Sequence, residues 1–453
     1  MSIFARAATK LFDQGAGTLA AGAHVLQTGG GRSASGISVT TDRAMRYSAF
    51  WDAVRILSED VAKIPFGVFV RTSTTSTEDG SAQREGSKPD PSHAVDRVIR
   101  YQANPELTAY HWREVTMAHA LTWGNGYSLK VRDGLGRLRG LYLLATDRMD
   151  VDRVDRETRG TTLTLAGDLA PIIFAAGDLR YRYTRTNGQM VDFSRAQILH
   201  IPGLSWDGVK GYSVIRLARE TIGLGLAAEE HGSRFFGQGA TTSFVLSTDN
   251  KLSEQAWEHL EDQIQDEHTG LSNAWKPWVL EEGLKPQTLS MPNDDAQWLE
   301  TRTHQIRDIA RWFRLSPHKL GDLERATFSN IEHLSLEHVG DALMGWYVRF
   351  ENTMAMQLLG PDWLGAGGKH YLKFNVNALQ RGDFETRMKG YAIGRQWGFL
   401  SANDIRELED MNPIPGGDEY LVPLNMTTVN PDGSITQTTM TSRNGKEPAG
   451  ATA

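Results

Sequence analysis

The stretch SVIRLARETIGLGLAAEEHGSRFFGQG, residues 213–239, decides how the chain is organised. Its apolar residues recur at helical spacing, and Gly237 and Gly239 stand where a helix ends, so the pattern predicts one long helix. A second long helix is predicted over 295–314. The residues between them, about 240–292, contain signals for short strands and for one acidic helix. The chain is therefore expected to insert a small unit between two long helices.

This insertion carries most of the negative charge. The 453 residues contain 48 Lys and Arg against 55 Asp and Glu, which gives a net charge of −7. Residues 235–301 hold twelve acidic residues and three lysines, a net charge of −9, whereas residues 302–325 carry a net charge of +3. The total excludes tight general binding of nucleic acid, because such binding needs many cations against phosphates. The uneven distribution indicates either separate acidic and basic sites or two solvated helix faces with a chance bias.

Composition excludes several classes of protein. The chain has no cysteine, which excludes a disulfide scaffold, thiolate zinc sites, iron–sulfur clusters and a thiol nucleophile. Its longest apolar runs, such as LAPIIFAAG at 169–177, are about half the length that crosses a bilayer. The N-terminal residues lack the uninterrupted apolar region of a secretion signal. We therefore expect a soluble globular protein without a membrane span.

The region before the first long helix is predicted to be a mixed α+β domain. An amphipathic helix is expected over 48–64, with Ser48 as its N-cap, and a second helix is expected to be capped by Thr108. The segments 127–144 and 179–193 each contain two strand-like runs around a turn, which predicts two hairpins. The region lacks the regular alternation of strand and helix that would indicate a parallel sheet.

After the second long helix the pattern breaks at about 315–330 and a third long helix is predicted over 331–359, with Gly340 and Gly345 as candidate kinks. Shorter helices are expected within 378–411.

The two ends of the chain are polar and rich in small residues. Residues 1–45 are expected to form a flexible arm and residues 428–453 a disordered tail.

No motif of an enzyme is complete. The chain lacks the phosphate-binding P-loop, the dinucleotide-binding glycine pattern and the serine nucleophile elbow. The histidines of H-x-x-x-E-H, residues 333–338, are one residue too far apart for a zinc-protease helix and are expected on a helix surface. Asp294 and Asp295 are explained by the favourable field at a helix N-terminus, and the alternative is a metal-dependent nuclease that uses them. We predict no catalytic residue, metal or cofactor.

Five stretches, in this order along residues 48–360, make the chain resemble the portal proteins of tailed double-stranded DNA phages. Each stretch alone is weakly specific, and their number and order carry the resemblance. They are SAFWDAVRILSEDVAKIPFGVF (48–69), NPELTAYHWRE (104–114), WGNGYSLKVRDGLGRL (123–138), HIPGLSWDGVKGYSVIRLARE (200–220) and SPHKLGDLERATFSNIEHLSLEHV (316–339).

The resemblance implies a non-enzymatic ring, usually of twelve subunits, at the portal vertex of the virion between head and tail. DNA is packaged through its channel by the terminase large subunit, and the same channel serves DNA ejection. A head-completion adaptor, tail proteins, the major capsid protein and a scaffold protein are the further partners that it implies. It also implies synthesis in the host cytoplasm, and the same role in a gene-transfer particle is the alternative.

The resemblance also implies names for the segments: an α+β portal fold with a wing, a long-helix stem, a clip and a helical crown. The wing would be 46–212, the stem helices 213–239 and 293–314, the clip 240–292, the tunnel loop 315–330, the long kinked helix with its return through the wing 331–377, and the crown helices 378–427.

Two sets of candidate site residues follow from this assignment. Basic residues of the tunnel loop would touch DNA phosphates in passing, or would instead pair with Asp308, Asp322 or Glu324. Acidic residues of the clip would dock terminase or an adaptor, or would form a solvated surface that limits misassembly. The tunnel-loop residues are Arg314, His318, Lys319 and Arg325, and the clip residues are Glu254, Glu258, Glu261, Asp262, Asp266 and Glu267.

Overall fold

The computed structural model of the chain forms two compact units, residues 1–375 and 376–453, which are taken in turn. The residues that it describes are 31–75, 83–164, 167–237, 244–247, 253, 255, 257–258, 285–288, 295–322, 337–376, 384–409, 411–421, 428–429 and 435–436.

The first unit opens with a small packed segment. Strands β1 (Gly31–Arg32) and β2 (Ser38–Val39) pair antiparallel, and helix α1 (Thr41–Arg46) follows with the Thr40 hydroxyl accepting a hydrogen bond from the Arg43 amide. Val39 and the α1 residue Ala44 are fully buried. The expected flexible arm is therefore corrected for residues 31–45, because apolar burial holds residues whose composition alone suggested a linker.

Helix α2 (Ser48–Ala62) buries the predicted apolar face, including Phe50 and Leu57. The expected Ser48 N-cap is wrong, because Tyr47 occupies the cap position in an extended conformation and Ser48 is the first helical residue. The Ser48 hydroxyl hydrogen-bonds to Glu229 instead, a partner 181 positions along the chain that local pattern cannot reveal.

The body of this unit combines helices with short antiparallel strands. Its further strands are β3 (Phe66–Thr75), β4 (Gln83–Pro89), β5 (Asn125–Arg132), β6 (Leu138–Leu144), β7 (Met149–Arg153), β8 (Thr158–Leu163), β9 (Leu169–Phe174), β10 (Leu179–Thr184), β11 (Met190–Ser194) and β12 (Ile198–Pro202), and its further helices are α3 (Ala94–Arg100) and α4 (Ala109–Thr122).

Both predicted hairpins are present. Strands β5 and β6 pair from Tyr127 opposite Leu144, with a register shift at Val131, and β10 and β11 pair from Thr184 opposite Met190. The sheets β12-β5-β6 and β11-β10-β7 each have three strands, and β8 pairs with β9. Their shared core holds a cluster of aromatic and aliphatic side chains: Tyr127, Leu144, Met149, Val151, Tyr181, Tyr183, Val191, Phe193 and Ile198.

Helix α4 packs on this body, and polar groups at its start and on its buried face are hydrogen-bonded. The Thr108 hydroxyl accepts a hydrogen bond from the His111 amide, so the predicted cap is confirmed. Trp112 is fully buried and its Nε1–H donates to the Ser128 hydroxyl at 2.9 Å. Burial of the ring and satisfaction of its single donor together fix α4 on strand β5.

The remaining elements of the first unit follow the body in the chain. They are α5 (Val214–Leu217), α6 (Arg219–Gly237), β13 (Phe244–Ser247), β14 (Lys285–Thr288), α7 (Asp295–Phe313), a 3₁₀ turn (Pro317–Leu320), a π-helical turn (His338–Leu343), α8 (Met344–Leu358), two 3₁₀ turns (Gly360–Asp362 and Leu364–Ala366) and β15 (His370–Phe374). Strand β15 returns to the body, where it pairs with β3 in the sheet β15-β3-β4.

Two of the three predicted long helices differ in detail. The first is interrupted at Ala218, which separates α5 from α6. The third begins, within the described residues, as a π-helical turn that contains Gly340 and continues as α8. A π-helical turn widens the backbone hydrogen-bond ring, which is a recognised cause of helix irregularity. The second long helix, α7, spans Asp295–Phe313, against the helix pattern predicted over 295–314.

The second unit contains helices α9 (Phe384–Gln396) and α10 (Ala402–Leu408), the latter begun by a capping box between Ser401 and Asp404. Arg387 pairs with Glu409 at 2.7 Å and ties the two helices together. Strands β16 (Thr428–Val429) and β17 (Ile435–Thr436) pair inside the stretch that was expected to be disordered, which corrects that expectation for these four residues.

In the portion of the chain that the structure describes, helices long and apolar enough to cross a membrane are absent.

Candidate DNA-channel site

Helices α6 and α7 lie side by side and run in opposite directions. The Arg302 guanidinium approaches the Glu229 carboxylate at 3.7 Å, and the Trp312 Nε1–H donates to the Thr221 hydroxyl at 3.3 Å. Arg302 of α7 lies beside Glu229 of α6, and the later residue Trp312 lies beside the earlier residue Thr221. The two long helices predicted from the sequence therefore form an antiparallel pair.

The pair rests on the start of helix α2 through a close approach of backbone to ring. A Cβ atom at Gly225 would lie 2.7 Å from the Tyr47 ring, so only glycine fits there. Burial raises the pKa of the Tyr47 phenol to about 12, and the Glu229 carboxylate adds to this effect. Burial also raises the pKa of Glu229, against the opposing effects of Arg302 and the Ser48 hydrogen bond. The contact between α2 and the pair is therefore a partly desolvated polar cluster.

The C-terminal end of α7 is anchored by apolar contacts. Ile309, Ala310 and Phe313 are buried, and the Phe313 ring packs edge-on against Phe50 with centroids 5.3 Å apart. Leu315, just after the helix, is also buried. These contacts hold the point where the chain leaves the helix pair.

Arg314 ends the helix in a left-handed conformation with φ 55°. This region is costly for a side chain with a Cβ atom and is the position that helices commonly give to glycine. The Leu315 amide donates to the Ala310 carbonyl at 2.9 Å, which closes the last turn. The Arg314 side chain is exposed, so the bend turns a cation toward solvent between two buried neighbours.

The ion pairs that the structure describes around this bend are formed by residues other than Arg314. Asp308, one expected partner, pairs with Arg311 and lies 3.3 Å from His304. Asp322, another expected partner, pairs with Arg307 at 2.6 Å. Arg314 forms no ion pair with any residue that the structure describes. The pairing with Asp308 or Asp322, which was the alternative for this arginine, is made by Arg311 and Arg307 of α7, and Glu324 lies outside the described residues.

His318 and Lys319 follow within the 3₁₀ turn, both half-buried, and Arg325 lies outside the described residues. The His318 Nδ1 lies 2.9 Å from the Ser316 hydroxyl. Burial, followed by the nearby Lys319 charge, lowers the pKa of His318 below its ordinary value. His318 is thus neutral at neutral pH, which weakens the expectation that it contacts phosphate as a cation.

Most of the predicted clip residues lie outside the part of the chain that the structure describes. Glu258 is exposed and stands next to the exposed Trp257, whereas Glu254, Glu261, Asp262, Asp266 and Glu267 are not described. Strands β13 and β14 pair antiparallel from Phe244 opposite Thr288, so the two ends of the insertion meet.

The nuclease alternative rested on two acidic residues that the structure does not test. Asp294 lies outside the described residues, and the side chain of Asp295, the first residue of α7, is likewise not described. Among the side chains that are described, no group of three metal-binding residues occurs.

One buried pair was missed from the sequence. His338 was expected on a helix surface, but it is 7% exposed and its Nε2 lies 2.6 Å from the Asp60 carboxylate. Burial alone would raise the pKa of Asp60, and hydrogen bonds from His338 and Lys63 overcome this effect and lower it. One signal in the sequence could have indicated that Asp60 is buried with a partner: this acidic residue lies on the apolar face of the predicted helix, between Leu57 and Ile64.

Comparison with known proteins agrees with this geometry. The family model for phage portal proteins matches residues 48–410. The portal protein of Enterobacteria phage HK97 is 28% identical over 384 residues, which cover 84% of this chain and 82% of that protein.

Solved structures share the fold. The chain is similar to one in the virion of a native gene transfer agent particle, with a TM-score of 0.52 at 22% identity, covering 83% of this chain and 94% of the other. A chain in the neck of such a particle, computed with C12 symmetry, matches with a TM-score of 0.50 at 21% identity and the same coverage.

The family match therefore spans the α+β body, the antiparallel helix pair, the bend at Arg314 and the first helices of the second unit. A match over so much of the chain, joined to the predicted order of its elements, shows that this protein belongs to the phage portal protein family.

Proposed function

We propose that this chain assembles into a closed ring, with twelve subunits as the expected number, around a channel for double-stranded DNA. The family match over residues 48–410 is the observation that carries this proposal. The antiparallel pair of α6 and α7 supports it, because two long helices held side by side can line a channel without a continuous basic surface. The C12 symmetry of a similar neck structure supports the subunit number.

In this ring, the residues after α7 would form the tunnel loop. Arg314 is exposed and is not neutralised by Asp308 or Asp322, so its charge is available to a passing phosphate. Lys319 and Arg325 are the further candidates. Each phosphate contact adds salt-dependent affinity, so a few cations per subunit allow transient contact without holding the DNA. His318 would stabilise the turn through Ser316 rather than carry charge.

The clip would face the proteins that exchange at the portal. Residues 240–292 hold nine acidic residues and three lysines, and their net charge of −6 suits a docking surface for the terminase large subunit during packaging and for a head-completion adaptor afterwards. Exposed Trp257 beside Glu258 gives this surface an apolar contact as well as charge. A solvated surface that limits misassembly is the other use of the same acids.

The proposed setting is the portal vertex of a virion, between head and tail. There the ring would also contact the major capsid protein, a scaffold protein during assembly and the tail proteins, after synthesis in the host cytoplasm. The role is structural and needs no catalytic residue or cofactor.

Electron microscopy of the purified protein tests the ring. Negative staining is expected to show closed rings with a central hole. A uniform monomer at high protein concentration, across low and high salt, would contradict the proposal.

Substitution tests the tunnel loop. Lys319→Ala combined with Arg325→Ala should leave ring assembly intact and change the yield of packaged DNA, because the two charges act on DNA and not on the fold. Arg46→Ala, which removes an exposed cation paired with Asp42 on α1, is the matched control and should leave the yield unchanged. Failure of the double variant to form rings would make these residues structural.

A gene-transfer particle is the second candidate setting, and the similarity to a gene transfer agent virion favours it. The ring would act in the same way in either case. Sequencing of the DNA inside purified particles separates the two: one phage genome indicates a virus, and random fragments of the host genome indicate gene transfer.

A further inference from the structure

The loop that joins β12 to α5, residues 203–212, presents a tryptophan to solvent on a rigid frame; we name it the Trp206 loop. The Tyr212 amide donates to the Leu204 carbonyl at 2.8 Å, and the Gly203 amide donates to the Gly124 carbonyl at 2.7 Å. Ser205 and Gly211 form a β-bridge between these ends. The loop is thus closed at its base and tied to the start of β5.

Asp207 fixes the tip of this loop from inside. Its carboxylate accepts hydrogen bonds from the Lys210 amide at 3.0 Å, the Ser205 hydroxyl at 2.7 Å and the Val209 amide at 2.8 Å. These bonds, the Lys210 amide first, lower the pKa of Asp207 to about 2. The carboxylate is therefore committed to the shape of the loop.

Asn125 fixes the base of the loop from the body. Its side-chain oxygen accepts a hydrogen bond from the Gly211 amide at 2.8 Å, and its side-chain nitrogen donates to the Gly211 carbonyl at 3.0 Å. A Cβ atom at Gly211 would lie 2.0 Å from the Gly124 carbonyl oxygen, so the contact requires glycine. The loop cannot fold its apolar tip back into the core without breaking this pair.

The tip is nevertheless apolar. Trp206 is 91% exposed and Leu204 is 76% exposed, and the large side chains of Tyr212 and Leu217 beside them are also exposed. A flexible loop could hide such residues, whereas this one holds them in water. Exposed aromatic residues on a rigid frame are typical of binding surfaces, because little conformational entropy is lost when a partner covers them.

Trp206, Tyr212 and Leu217 border a cavity of about 480 Å³ that Tyr127 and Trp123 also line. Tyr127 is 1% exposed, and its hydroxyl has no hydrogen-bond partner among the described residues. The Trp123 Nε1–H, also buried, likewise lacks one in the described part of the chain. A buried donor without a partner costs about 1–3 kcal/mol, so a ligand that supplies acceptors would recover this energy.

Charge at the cavity indicates which acceptor fits. Arg216 stands exposed on its wall and forms no ion pair with the residues that the structure describes. Lys210 is paired with Asp150 at 2.9 Å, and Asp207 serves the loop itself. The groups left to bind a ligand are the Arg216 cation and the neutral donors of Tyr127 and Trp123, beside aromatic side chains. This combination suits a carboxylate carried next to an apolar side chain.

We propose that the Trp206 loop and this cavity bind a carboxylate-bearing apolar segment of the neighbouring copy of this chain in the ring. The inference rests on the proposed ring function. A closed ring places two different faces of each copy in contact, and a rigid apolar projection at that contact would be covered by a different surface of the next copy. A second copy is present wherever the ring exists, in equal number to the sites.

Protection of the native side chain tests the contact without a variant. Hydroxyl-radical footprinting of intact wild-type rings should oxidise Trp206 at least about fivefold more slowly than the same rings after dissociation. Tyr101, exposed on the body beyond the cavity, is the internal control for radical dose. Equal oxidation of Trp206 in rings and in dissociated subunits would overturn the proposal.

A photocrosslinking residue at position 206 identifies the partner. Rings assembled from equal parts of ¹⁴N and ¹⁵N subunits should give crosslinked peptides with mixed labels, which only a contact between copies produces. Products with a single label throughout would mean that the tip folds onto its own chain and would overturn the proposal. Products that appear only when another virion protein is added would overturn it in favour of that protein.

Tyr127→Phe tests the role of the unused donor. Removal of an unpaired buried hydroxyl should leave the thermal midpoint of dissociated subunits unchanged or higher, while the dissociation constant of the ring rises at least about tenfold. Tyr347→Phe is the contrasting control: its hydroxyl donates to the Asp60 carbonyl within one chain, so it should lower the midpoint and leave ring association unchanged.

If a cavity water satisfies Tyr127, its substitution changes neither quantity, which would overturn the assigned donor role. Absence of wild-type rings would refute the proposed function itself, whereas wild-type rings with an accessible Trp206 would refute only this inference.

Discussion

Arg113 in the body and Arg314 at the end of α7 are the same residue in opposite environments. Arg113 is buried and donates to the Ile99 carbonyl at 2.6 Å and to the Ala62 carbonyl at 2.7 Å. Burial lowers the pKa of its guanidinium to about 10, so it stays charged at neutral pH. Arg314 is exposed, adopts a left-handed backbone and has no ion pair among the described residues.

The difference separates a cation that holds the fold from one that is free to act on a partner. Arg113 joins α2, α3 and α4 by satisfying carbonyl groups at the ends of the first two helices, where such acceptors have no partner in the helix. Arg314 has no ion-pair partner among the described residues and is held in a costly conformation. Body substitutions should therefore affect stability, and bend substitutions should affect mainly DNA transport.

The largest effect on stability is expected from Trp112→Ala in the body. Loss of this fully buried ring removes apolar burial and leaves a cavity, so the free energy of unfolding should fall by about 3–5 kcal/mol. Urea unfolding followed by circular dichroism measures the change. Trp51→Ala, at a half-exposed tryptophan of α2, is the control and should cost less than about 1 kcal/mol. Similar losses for both variants would mean that burial does not distinguish the two positions.

A smaller effect is expected from Asp60→Asn, which breaks the buried pair with His338. A hydrogen bond to a charged group contributes about 1.5–3 kcal/mol, so the variant should lose stability in that range at pH 7. The pKa of Asp60 is lowered in the folded chain, so its contribution exists above the ordinary value of 3.8 and is lost as the pH falls through the folded value. The difference between wild type and variant should thus shrink below about pH 4.

Urea unfolding at pH 7 and pH 3 measures this dependence. Asp42→Asn is the matched control, because the carboxylate of Asp42 pairs with Arg46 in full solvent at 2.9 Å. Such exposed pairs contribute below about 1 kcal/mol. A difference between wild type and Asp60→Asn that stays constant from pH 7 to pH 3 would contradict the assigned linkage.

The smallest effect on stability is expected at the bend. Arg314→Gly relieves the left-handed strain and adds the entropy cost of glycine, which together should raise the free energy of unfolding by about 0.5–1 kcal/mol. Arg314→Ala keeps the strain and should leave stability unchanged. Both variants remove the charge, so both should change packaging yield in the same direction. Equal stability of the two variants would show that the bend is not strained.

Local signals in the sequence predicted most of the elements. The apolar stripe of α2, the Thr108 cap, the two hairpins and the bounds of α7 follow from residues within a few positions of one another. Positions that depend on distant partners were predicted less well. Ser48 hydrogen-bonds to Glu229 instead of capping its helix, and residues within 31–45 are buried although a flexible arm was predicted. The tunnel-loop residues stay a prediction from charge, and the sequence did not show that Asp308 pairs with Arg311 and Asp322 with Arg307.

The sequence by itself indicated the portal family through five ordered stretches that resemble it, and its periodicity and composition predicted the two long helices, the acidic insertion and the basic block, because these are local properties. Only the tertiary structure decided that Arg314 is exposed at a left-handed bend, that Trp206 is held in water and that His338 is buried against Asp60. Asp60 and His338 are 278 positions apart in the chain. Burial and pairing are set by contacts across such separations, so they exist only once the chain is folded.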